Sequence, residues 1–133
     1  MPELNFPLDP SEPIAILSSS EISKKELTDF LSSLGAAIEE SNSFWGRFSE
    51  GNKHIWISIS NEELEYLTTF KREAIVQCLQ DEPKTCIVLE LSSTKGSEQI
   101  LIKFAIAFTA QWSCAICNFT EDSKVYTVQQ LHI

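Results

Sequence analysis

One run constrains the fold of this chain more than any other: Cys86-Ile-Val-Leu-Glu-Leu91, six residues polar only at Glu90 and flanked by Lys84-Thr85 and Ser92-Ser93. A strand wetted on one face alternates apolar with polar residues, whereas a continuous apolar run must be covered on both faces. The run predicts a central strand in a sheet that helices cover. With 133 residues the chain fits one domain, residues 1–133, which buries roughly 68% of its unfolded surface and can close a core without disulfides or metal.

The remaining elements follow from period and punctuation. Pro2, Pro7, Pro10 and Pro13 make residues 1–12 an irregular leader. Ile14 to Leu17 reads as a first or inner strand. Ser23 with Glu26 forms a capping box ahead of Leu27, Phe30, Leu31 and Leu34, a helix over about 23–34 closed by Gly35. Ala36 to Glu40 can extend as a strand. Phe44 to Phe48 and His54 to Ser60 flank the turn Glu50-Gly51-Asn52, predicting a hairpin with Ile55, Ile57 and Ile59 on the core face. Asn61 can cap a second helix reaching towards Asp81, its first turn carrying Glu62 and Glu63; Thr68 and Thr69 interrupt the stripe, so two short helices with Thr69 as a second cap are an alternative.

Ser97 to Trp112 is a third helix, apolar nearly all round, and Cys114 to Phe119 returns as a strand, completing a βαβ unit. The tail beyond Val125 is an edge strand or a short helix starting near Thr127. The fold class is α/β or α+β, a mixed twisted sheet with about three helices in two or three layers, topology βαβββαβαβ.

Charge narrows the partners. Nineteen acidic against 10 basic residues give −9, a field that repels phosphate backbones and anionic lipid heads and attracts basic proteins. Nucleic acid and membrane are not expected partners. No basic n-region precedes an apolar core near Met1, and the most apolar stretch, Ile100 to Ala110, falls short of the roughly 20 residues of a membrane span. A cytoplasmic protein is expected.

Motifs for chemistry are sparse. Cys114-Ala-Ile-Cys117 has the spacing of a redox pair or half a zinc site, but it lies in a predicted strand after a helix C-terminus, where side chains three apart face opposite ways. The four cysteines, Cys78, Cys86, Cys114 and Cys117, read as buried small hydrophobes. His54 and His132 lie near no nucleophile elbow, and four glycines form no phosphate loop. Asn118-Phe-Thr120 matches a glycosylation acceptor without a secretion context. No catalytic residue, metal ligand or cofactor is expected.

His54-Ile-Trp-Ile-Ser-Ile-Ser60 with Asn61-Glu-Glu-Leu-Glu-Tyr66, Thr85-Cys-Ile-Val-Leu-Glu-Leu-Ser92 and Gly96-Ser-Glu98 resemble small immunity proteins of bacterial contact-dependent growth inhibition and polymorphic toxin systems, over about residues 35–118. The resemblance implies a cytoplasmic antitoxin that binds and neutralises a cognate toxin domain, often a basic nuclease; it transfers no contact residues. Charge clustering and aromatic placement nominate Glu39, Glu40, Trp45, Glu62, Glu63, Glu65, Tyr66, Asp81 and Glu82 for contact. Two rivals stand beside this expectation: a thiol or metal protein using Cys114 and Cys117, and a non-catalytic regulatory homodimer through the third helix. A monomer or weak homodimer is expected.

Overall fold

The computed structural model describes residues 6–38, 46–120 and 122–131. In chain order the elements are β1 (Ile14–Ser18), α1 (Lys24–Ser33), β2 (Ala37–Ile38), β3 (Gly46–Glu50), β4 (Lys53–Ile59), a 3₁₀ helix (Asn61–Tyr66), α2 (Thr69–Leu79), β5 (Thr85–Leu91), α3 (Ser97–Thr109), β6 (Ala115–Asn118) and a second 3₁₀ turn (Val128–Gln130). The fold is α+β, and the strand and α-helix order is the expected βαβββαβαβ. No helix among the described residues is long and apolar enough to cross a membrane.

The six strands form one sheet in the order β2-β3-β4-β5-β1-β6, every neighbouring pair antiparallel. β1 therefore lies between β5 and β6 and runs against both. The expected βαβ unit is a split one: β5 and β6 run parallel, but β1 separates them and they share no ladder. The sheet is antiparallel throughout rather than mixed as expected. The physical reason lies in β1 itself, whose five residues are all buried; a strand apolar on both faces belongs inside the sheet.

Alternation sorts the side chains into two cores. Ile14, Ile16, Ile55, Ile57, Ile87, Leu89 and Ile116 face α1 and α3, meeting Leu27, Phe30, Leu31, Leu101, Phe104 and Phe108. Ala15, Leu17, Cys86, Ala115 and Cys117 face the other way, against Ile75 of α2. β5, the run buried on both faces in sequence, separates the two. Phe30 holds α1 to the α3 segment edge-on, its ring centroid 5.6, 5.9 and 5.3 Å from those of Phe104, Phe108 and Trp112.

Local signals were read where their cause is local. Ser23 and Glu26 form the capping box, with N–H···O distances of 3.1 and 3.2 Å, and Gly35 sits at φ 79° past the helix end. Gly51, at φ 61°, begins the two-residue turn between β3 and β4, where glycine is favoured. Gly46 is needed for closeness: a Cβ there would lie 2.7 Å from Leu31 Cδ1 and 3.3 Å from the Ala37 carbonyl. The tail realises both alternatives in miniature, a single bridge from Tyr126 to Ile116 followed by the 3₁₀ turn capped by Thr127 and Gln130.

The leader is docked through the glycosylation-like asparagine. Asn118 accepts from the Asp9 N–H at 2.8 Å and donates to the Asp9 and Pro13 carbonyls at 3.0 and 3.2 Å, so its amide serves the fold.

Candidate functional site

The predicted second helix divides. Ser60 donates its N–H to the Cys86 carbonyl at 2.9 Å, and the Asn61 side chain, expected as a helix cap, accepts from the Cys86 N–H at 2.8 Å instead. Those two bonds tie the chain to β5 and leave only a six-residue 3₁₀ helix before Leu67 turns extended at φ −66° and ψ 135°. Leu64 and Leu67 pack into the α2-side core. Thr68, not Thr69, then caps α2, accepting from the Lys71 N–H at 3.2 Å.

The 3₁₀ helix directs Glu62, Glu65 and Tyr66 into solvent, with Glu63 half-buried. Among the described residues these three carboxylates make no side-chain hydrogen bond or ion pair, a condition shared by the scattered Glu12, Glu21, Glu73, Glu90 and Glu98, while other acids of the surface are held. Glu50 is held by Lys103, Asp29 by Lys25 and Asp122 by Lys71. Glu82 receives Arg72 through Nε and Nη2 at 3.1 and 2.7 Å, while Arg72 Nη1 donates to the Leu64 carbonyl at 3.2 Å. One guanidinium thus brings Glu82 beside the 3₁₀ helix. Asp81 turns into its own chain, accepting from the Glu82 N–H at 2.8 Å. Glu39, Glu40 and Trp45 lie outside the described residues.

Sequence reasoning missed three members of this surface. Phe70 is 70% exposed, close to the 76% of Tyr66. Its signal was present: counted at 100° per residue from Ile75, Phe70 falls about 140° away, on the outward side, once the helix starts at Thr69 rather than running through from Asn61. Lys71 falls inward and is 2% exposed; its ammonium donates to Thr120 Oγ1, Asp122 Oδ1 and the Lys124 carbonyl at 3.2, 2.9 and 3.0 Å. Phe119, in the chain following β6, had no periodic signal. Glu63, Tyr66, Leu67, Thr68, Lys71, Phe119 and Thr120 line a cleft of about 240 Å³.

The Lys71 hydrogen bond, then the Lys124 N–H, hold the Asp122 carboxyl down at about 2. The thiols move the other way. Burial first, then the fields of Cys117, Glu63 and Glu62, push Cys86 up to about 12, and burial pushes Cys117 up to about 11. Cys78 and Cys114 are raised by burial as well. Cys117 lies in the α2-side core while Cys114 packs against the other, so the two thiols sit on opposite sides of the sheet. Among the described residues no group of three His, Cys, Asp or Glu side chains is placed to hold a metal ion.

The hairpin holds one unforeseen polar pair, Ser49 Oγ and His54 Nδ1 at 2.6 Å, on its exposed face. Trp56 faces away from Ile55 and Ile57, half-buried between Arg47 and Glu90 in the ladders and 5.8 Å from the His54 ring. It is packed rather than presented. On α3, Ile106 is 54% exposed while Ile102 and Ala107 pack against the core.

Comparison with protein-family models, with curated proteins and with solved structures finds no match to this chain.

Proposed function

We propose that this protein is a cytoplasmic immunity protein, a stoichiometric antitoxin that binds and neutralises the basic domain of a bacterial toxin, with the acidic 3₁₀ helix as the centre of its contact surface. The observation that carries the reading is the set Glu62, Glu63 and Glu65, three carboxylates on one exposed segment whose charges the protein leaves without a cation among its described residues. The first turn of the helix favours Glu62 and Glu63, but three neighbouring like charges repel one another, and a basic partner supplies the opposing ions. The chain's −9 extends the same field over the whole molecule, which raises association rates with basic surfaces from about 10⁵–10⁶ towards 10⁸–10⁹ M⁻¹s⁻¹ at low salt. The function needs no catalytic centre, metal or cofactor. It also excludes nucleic acid and membrane as partners, because the field that attracts a basic nuclease repels its substrate.

The test is co-expression in the source bacterium with the product of the adjacent upstream gene. That product should arrest growth alone and be harmless with this protein. The triple variant Glu62→Lys, Glu63→Lys, Glu65→Lys should fold and fail to protect. Full protection by the triple variant would put the contact elsewhere on the molecule, and a harmless gene product would remove the immunity reading.

A further inference from the structure

The corner between the 3₁₀ helix and α2 presents more than charge. Tyr66 and Phe70 are the two most exposed large apolar side chains among the described residues, at 76% and 70%. Four residues apart, their Cα atoms can be separated by no more than about 14 Å, so both are exposed at the same corner of the molecule. Phe119, 38% exposed, shares with Tyr66 the cleft beside it. Neither ring of the ridge serves the fold: Phe70 belongs to no core cluster, and the outward side of α2 continues with the exposed Glu73 and Gln77. Glu62, Glu63 and Glu65 share the 3₁₀ helix with Tyr66, and Glu73 shares α2 with Phe70.

The geometry points to Tyr66 and Phe70 as the apolar anchors of partner binding, docking a basic protein domain whose surface offers an apolar depression rimmed by lysine or arginine. This rests on the neutralisation reading and names its contact. Aromatic anchors surrounded by polar residues that exclude water carry most of the energy of protein interfaces, and the carboxylate rim orients and accelerates the encounter. The occupant is not a second copy of this chain, which would set four glutamates against four glutamates around the same rings. Nor is it nucleic acid, whose bases would find stacking platforms but whose phosphates would face the same carboxylates.

The experiment places a photo-crosslinker by the substitutions Tyr66→p-benzoylphenylalanine and Phe70→p-benzoylphenylalanine, with Ile106→p-benzoylphenylalanine on α3 as the control, in the full-length protein in living cells of the source bacterium. Positions 66 and 70 should join one basic protein, identified by mass spectrometry, at a one-to-one mass, and position 106 should not. With that protein purified, Phe70→Ala and Tyr66→Ala should each weaken binding roughly tenfold or more, while Phe70→Tyr stays near wild type and unfolding midpoints do not move. Crosslinking from 106 alone, or alanine variants that bind like wild type, would overturn the anchor assignment and leave neutralisation standing. If no position joins a partner and none co-purifies, both fall.

Discussion

Removing Lys71 and removing Asp122 should not cost the same. A lysine 2% exposed is stabilised only by the oxygens around it, whereas Asp122, its side chain 41% exposed, can return to water. Asp122→Ala leaves a buried ammonium with two neutral acceptors and should destabilise by about 2–3 kcal/mol, below the usual cost of breaking a fully buried pair because the carboxylate is half wet. Lys71→Met replaces the charge by an apolar chain of similar length and should cost about 1 kcal/mol or less. Urea unfolding of the two variants checks the order, and equal losses would show that the pair is not a buried-charge interaction. The same pair sets an acid response. Asp122 is depressed from 3.8 to about 2, so its stabilisation is full above about pH 4 and is lost as pH falls through about 2. The gap between wild type and Asp122→Ala should therefore be flat above pH 5 and close between pH 4 and pH 2. None of this was legible in the sequence: helical phase turns Lys71 inward, against its charge, and only the approach of the chain beyond β6 explains why it is tolerated.

At the scale of elements, legibility tracks how local the cause is. The capping box of α1 and the alternation of Ile55 and Ile57 in β4 involve neighbours in the chain, and both stand as read. For the region 61–79 the stripe of Leu64, Leu67, Ile75 and Cys78 suggests one helix and the interruption at Thr68 and Thr69 suggests two; the structure has two, with the cap at Thr68 rather than Thr69. Cys86, from the far side of α2 in sequence, claims Asn61 and Ser60 at the start of the first segment, and the extended Leu67 ends it. The cap that restarts the helix also sets where Phe70 points. Thr68→Ala should cost about 1 kcal/mol and speed amide exchange at Lys71, whose N–H loses its acceptor, while α1 is untouched. Uniform loss of protection across both helices would mean that the cap carries no local role. Glu62, Glu63, Glu65 and Tyr66 were nominated from charge clustering and aromatic placement, whereas the exposure of Phe70 follows only from the true helix start.

For the whole molecule, the split βαβ explains what strand content could not. Sequence gives the order and sense of β5, α3 and β6, while the choice of β1 as the strand between them depends on competition among buried strands. That placement lays Cys86 and Cys117 under α2. With thiols at about 12 and 11, only about one molecule in a thousand carries either thiolate at pH 8. A thiol reagent at that pH should leave both unmodified in the folded protein and label them once urea unfolds it; rapid labelling of either in the native state would revive redox chemistry as a role. The claim that matters most is that this acidic molecule exists to hold a basic one. It is tested most directly by recovering the tagged protein from its source cells at low salt and identifying what accompanies it. The account predicts a single stoichiometric basic protein, released as salt rises above about 0.1 M, where surface charges are screened beyond about 10 Å, and lethal when expressed alone. Recovery of the protein without a partner, or with a bound metal or small molecule in its place, would contradict it.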